Sequence, residues 1–146
     1  MHELPAWLVR FLARIVTGKT QTALQPGPGT SPRSAIKVKS VQEEVNFISL
    51  LQCSSCNTPL SIENIACVSD IADIDLTKWE RAVASGHTPR LYDRMLVKCA
   101  NGHRAELYFD INDMPEIRAM KESPYPFMMH HATELGRVLH RSSNQA

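Results

Sequence analysis

The sequence predicts an α+β fold: small antiparallel hairpins with a helix inserted between them, and further helices at both ends of the chain. Three observations carry that prediction. Residues 91–98 and 104–111 alternate apolar and polar side chains with a period of two, the pattern of strands with one buried face. Residues 77–86 have helical end signals, a T-x-x-E box at Thr77 and Glu80 and a glycine at Gly86. Two short groups of ligand-type residues, Cys53 with Cys56 and Cys99 with His103, each follow a strand-like apolar run.

At 146 residues and 43% hydrophobic content, the chain can support one compact domain with tails. Its formal charge of +1 hides an asymmetry. Residues 1–40 carry six Lys or Arg against Glu3 alone, whereas residues 41–114 carry six basic against eleven acidic residues. Any polyanion contact is therefore expected in the arm, through Arg10, Arg14, Lys19, Arg33, Lys37 and Lys39. There is no apolar run long enough to span a membrane. The opening "PAWLVRFLARIV" lacks a signal-cleavage context, so the four cysteines are expected in a reducing compartment, the cytoplasm or alternatively the mitochondrial matrix.

Residues 1–20 form the first expected element, a basic amphipathic helix with Trp7, Leu8, Phe11, Leu12, Ile15 and Val16 on one face and Arg10 and Arg14 beside it. Docking on a protein surface, lying on a membrane surface and acting as a mitochondrial presequence are all compatible with it. Residues 21–35 include "QPGPGTSPRS", whose prolines and glycines predict a flexible linker. The metal-binding domain is expected over 36–122. Within it, "AIKVKSV" predicts a strand, "EEVNFISLLQC" a second strand or a short helix turning into one, and "LSIENIACVSDI" a strand pair or meander. The helical insertion covers 72–86. Asp113 and Glu116 repeat the capping-box spacing around Pro115, predicting a short helix to Glu122. "SPYP" breaks it, and 123–146 form a C-terminal helix, Phe127 to Arg141, with a tail. "Tyr92-Asp93-Arg94" and the run "SDIADID" read as solvated edges and turns.

Two thiolates spaced as in "LLQCSSCNTPL" can bind one tetrahedral ion, because the turn between them aims both sulfurs inward and its N–H groups at the sulfurs. Asn57, just after the second cysteine, suits a positive φ. "KCANGH" supplies Cys99 and His103, the extra residue matching the reach of imidazole. The expected site is Cys53, Cys56, Cys99 and His103 around one structural Zn²⁺, with every coordination position filled by protein. Cys67, in the apolar "NIACVSDI", is the rival fourth ligand and is more simply a small buried hydrophobe. His130 and Glu134, one turn apart, with Met128 or Met129 nearby, could chelate a second metal but are more simply part of an amphipathic helix.

"LLQCSSCNTPL" resembles the opening, and "LVKCANGHRAELYFDI" the closing knuckle, of zinc ribbons. The pattern is similar to the N-terminal ribbon of ribosomal-RNA guanine methyltransferases, which uses three cysteines and a histidine at these spacings. It also resembles the small zinc-ribbon activator subunit of tRNA and translation-factor methyltransferases, in the helical insertion between knuckles and in "INDMPEI". The resemblance covers at most Val45 to Ile117. It departs at Ser54 and Ala100, where ribbons carry proline, and at Asp113, where the activator subunit carries glycine. It implies a zinc-ribbon fold.

No phosphate-binding glycine loop and no nucleophile motif occurs. The expected function is accordingly a non-catalytic zinc-binding adaptor or accessory subunit acting through contact with a larger protein partner. The alternative is a nucleic-acid-binding zinc ribbon, RNA or ribosome-associated, using the basic arm. A CxxC redox activity is the least unlikely enzyme reading.

Overall fold

In Leu91–Cys99 (β3) every second side chain is buried, and in Arg104–Asp110 (β4) Leu107 and Phe109 face the same way. The two strands pair antiparallel from Tyr92↔Asp110 to Lys98↔Arg104, so that Leu91, Met95, Val97, Leu107 and Phe109 make one apolar face. The computed structural model describes residues 22–71 and 76–123 together with residues 137, 140 and 141. Within them the chain is α+β, with a four-stranded mixed sheet in the order Ile36–Lys37 (β1), β4, β3, Leu60–Ser69 (β2).

Two expectations are corrected. "LSIENIACVSDI" is no meander: Leu60–Ser69 (β2) is one strand paired antiparallel with β3, with a register shift between Ile62 and Asn64. Ile36–Lys37 (β1) joins β4 in parallel, so the sheet is not built from antiparallel hairpins alone. Of the two readings of the stretch before Cys53, a strand or a short helix, the helix holds: it is Val41–Ser49 (α1). Its start is set by Ser40, whose hydroxyl accepts the Glu43 N–H at 3.2 Å, while Glu43 Oε2 accepts the Lys39 N–H at 2.6 Å. Local side-chain bonds of this kind tip a short apolar run toward helix. The expected linker over 21–35 is described from Thr22 onward. Its irregular backbone runs along β4, where the Ala23 N–H donates to Arg104 O at 2.9 Å and the Tyr108 N–H donates to Gly29 O at 2.7 Å.

The insertion helix is Leu76–Ala84 (α2), with Trp79 buried and Gly86 at φ +84°, the left-handed position expected of a helix end. Thr77 lies inside the helix and does not cap it, and Val83 is 53% exposed. The next helix is Pro115–Glu122 (α3), which starts on Met114 with Pro115 as its first residue. Asp113 makes no cap there and pairs with Arg118 at 3.1 Å. Ile117 and Met120 of α3 join the core, as do Ile48 of α1 and Phe47, which meets the Phe109 ring edge-on at a centroid distance of 5.8 Å.

The largest departure is a buried group of charges. Asp93, expected on a solvated edge, is 1% exposed and Glu44 of α1 is fully buried. Both carboxylates pair with Arg137 and Arg141, which are themselves buried and helical in conformation. Two acids against two guanidiniums leave the group neutral, which is what allows charge to sit in the core. Burial pushes the Glu44 carboxyl up despite the attraction of Arg141 and Arg137, and pushes Arg137 down to about 10. The expected N-terminal helix over 1–20, the expected C-terminal helix and tail over 123–146 apart from residues 123, 137, 140 and 141, the acidic residues at 73 and 75, and the candidate ligands His130 and Glu134 lie outside the described residues.

Candidate metal centre

The register of the β2–β3 pair builds the site. Leu60 stands opposite Cys99, so the loop that leads into β2 and the loop that leaves β3 emerge at the same end of the sheet. Cys53 and Cys56 lie on the first loop; Cys99 and His103 flank the β3–β4 turn. Their ligand atoms all lie within 4.8 Å of one another, close enough to hold one metal ion. His103 Nδ1 is 3.4 Å from Cys53 Sγ and 3.4 Å from Cys99 Sγ, and Cys56 Sγ is 3.6 Å from Cys99 Sγ.

Each loop is shaped by its own backbone bonds. In the first, the Asn57 N–H donates to Cys53 O and the Cys53 N–H to Thr58 O, both at 2.8 Å, and the Gln52↔Pro59 bridge closes it. The tight turn needs positive φ at Asn57 (+56°), as its residue type suggests. In the second, the Gly102 N–H donates to Cys99 O and the Cys99 N–H to His103 O, both at 3.0 Å, with Gly102 at φ +81°. The backbone N–H groups of Ser55 and Cys56 favour the thiolate of Cys53, and those of His103 and Asn101 favour that of Cys99.

Protonation follows from these contacts. The Thr58 hydroxyl, 3.1 Å from Cys56 Sγ, holds that thiol far down, at about 5, with help from the Asn101 side chain. Burial pushes the Cys53 thiol up. Burial also pushes Cys99 up, but the bonds from His103 and Asn101 outweigh it and the net shift is downward. His103 is raised, chiefly by its bond to Cys56. A thiolate poised beside an imidazolium is a ready ligand pair once the imidazole gives up its proton.

Thr58 and Asn101 escaped the sequence reading, although each lies within two residues of a ligand. So did a brace from the N-terminal segment. The Ser54 N–H donates to Ala23 O at 2.8 Å and Ser55 Oγ to Thr22 O at 3.0 Å, tying the first loop to the stretch that runs along β4. Nothing in the sequence signals this contact, because carbonyls leave no trace in residue type.

Cys67 is not in the ligand group. It sits opposite Asp93 on the β2–β3 pair. Of the basic residues expected to touch nucleic acid, Arg33, Lys37 and Lys39 are exposed around β1, apart from the ligand group. Arg10, Arg14 and Lys19 lie outside the described residues. Among the described residues no helix is long and apolar enough to cross a membrane. No family model, curated protein or solved structure gives a match to the chain, so the reading of this centre rests on its own geometry.

Proposed function

We propose that Cys53, Cys56, Cys99 and His103 hold one structural Zn²⁺ in a zinc-ribbon-like centre, and that the protein is a non-catalytic adaptor acting through protein–protein contact. The carrying observation is the spacing of the ligand atoms. Zinc bonds of about 2.3 Å to sulfur and about 2.0–2.1 Å to nitrogen place tetrahedral ligand atoms about 3.5–3.8 Å apart. Three of the six separations, 3.4, 3.4 and 3.6 Å, lie close to that spacing and all six are within 4.8 Å, and three thiolates with an imidazole are the soft-to-borderline donors zinc favours. Four protein ligands leave no position for water or substrate, which supports a structural role.

The ion would tie the α1–β2 loop to the β3–β4 turn and hold Leu50, 83% exposed and three residues before Cys53, at the surface. A large apolar side chain fixed beside a rigid loop suits a protein partner. Native mass spectrometry tests the metal: one zinc per chain is expected, and none in Cys99→Ser. Affinity capture from the source cells tests the adaptor role. A single protein partner retained at high salt and lost in Leu50→Asp is expected; recovery of no partner, or equal recovery with both chains, would overturn it.

One observation favours the nucleic-acid reading. On the outer sheet face Tyr92 and Tyr108 share the surface with Arg94, Lys98 and Arg104, an interleaving of aromatic and basic residues that strand alternation creates and linear order hides. Arg104 is already paired with Glu63 at 2.8 and 2.9 Å, and Arg90 with Asp110 at 2.6 Å, so this face has little spare charge and the adaptor reading stands first.

A further inference from the structure

Away from the ligand group, a cavity of about 560 Å³ opens between the first turn of α1 and the first turn of α3. Lys39, Val41 and Gln42 line one wall, Glu116 another, and Arg137 and His140 a third. The N–H groups of Val41 and Gln42 are the first two of a nine-residue helix and have no intrahelical acceptor. They add the positive end of the helix dipole to the Lys39 ammonium.

The independent observation is Arg137. Its side chain is only 5% exposed, and its Nη2 bonds Glu44 and Asp93, yet its Nε has no hydrogen-bond partner. The nearest acid to it is Glu116, whose Oε1 lies 3.8 Å away across the cavity wall, too far for a hydrogen bond. A buried charged donor without an acceptor is costly, and a ligand oxygen at that place would satisfy it. Glu116, whose side chain is 40% exposed, can turn to solvent to admit one.

We propose that this cavity binds a phosphate group, held by the α1 N–H groups and Lys39 on one side and by Arg137 Nε and His140 on the other. Donors on several sides favour a tetrahedral oxyanion over a planar carboxylate, whose two oxygens would leave one side unmet. The volume exceeds what phosphate alone fills, so a small phosphate monoester is the favoured form. Glu116 is the acid among the described lining residues, and it competes with the ligand for Arg137.

The test is amide NMR of the zinc-loaded full chain, titrated at constant ionic strength with inorganic phosphate, phenyl phosphate and acetate. Saturable shifts of the Val41 and Gln42 amides are expected with both phosphates, tighter with phenyl phosphate if the body of a monoester is seated and equal if the group alone is read. Lys39→Ala should weaken binding about tenfold, the effect of one charge-assisted bond. Glu116→Gln should tighten it, the reverse of what a structural role for that carboxylate would give. Lys39 is exposed and Glu116 partly so, and an otherwise unchanged spectrum shows that both variants fold. Absence of saturable shifts at these amides, equal affinity in Lys39→Ala, weaker binding in Glu116→Gln, or acetate binding as tightly as phosphate would each overturn the proposal.

Discussion

Arg141→Met is the most informative perturbation of the buried charges. Arg141 donates to Glu44 Oε2 from Nε at 2.9 Å and from Nη2 at 2.6 Å, and also pairs with Asp93. Its removal leaves the fully buried Glu44 carboxylate with one bond, from Arg137 Nη2 at 3.2 Å. Breaking a buried pair at one partner costs about 3–5 kcal/mol, because the other charge is left desolvated. Against a total stability of about 5–15 kcal/mol for a domain of this size, that is about a fifth of the margin or more. Removing both partners should cost far less, since the double variant Glu44→Gln/Arg141→Met keeps the Arg137–Asp93 pair balanced.

Urea denaturation of the zinc-loaded chain, followed by circular dichroism, measures all three variants. The pH dependence has a definite sign. Burial holds the Glu44 carboxyl above its ordinary value in the folded state, and losing Arg141 removes the larger of two opposing attractions, raising it further. Below the unfolded value the carboxyl is neutral in both states and the variant should be only mildly destabilised. The deficit should grow as pH rises through the folded value. A stability loss in Arg141→Met of under about 1 kcal/mol at neutral pH, the range of exposed pairs, would mean that Glu44 is not held as a buried charge by Arg141.

Four further outcomes are expected. Cys99→Ser should lose the metal and with it the folding free energy that binding supplies, seen as a lowered urea midpoint that added zinc does not restore. Zinc binding at neutral pH should release no proton from Cys56, which at about 5 is already a thiolate, so the protons released come from the other two thiols and from His103. Calorimetry in buffers of different ionisation enthalpy counts those protons, and affinity should fall as acid protonates His103 below its raised value. Gly29→Ala should destabilise more than Gly102→Ala. Both sit at positive φ, worth about 1–2 kcal/mol of strain, but a Cβ at Gly29 would lie 2.7 Å from Ile36 Cδ1 and 3.2 Å from Leu107 Cδ2, whereas one at Gly102 meets nothing within 4 Å. Asn57→Gly should leave stability within a few tenths of a kcal/mol in urea, and Asn57→Val should lose about 1–2 kcal/mol, because only the former tolerates φ +56°.

What the residue order determined by itself was local. The two loops of the candidate centre were legible because a thiolate pair and a Cys-x-x-x-His turn are specified by neighbours a few positions apart, as are the positive φ at Asn57 and the glycine that ends α2. Strands β3 and β4 were legible because alternation records burial directly. Ser40 and Glu43 carried the signal for α1, but a short apolar run before a cysteine is read equally well as a strand, and packing of Phe47 on Phe109 accompanies the helix. Tertiary structure alone decided the rest. Glu44 is 97 residues from Arg141 and Asp93 is 48 residues from it, so no local pattern marks either acid as buried. The same holds for the N-terminal stretch along β4, whose bonds to Ser54 and Ser55 are made by backbone carbonyls. Local chemistry is written in residue types; the partner that makes burial of a charge affordable is chosen only when distant segments meet.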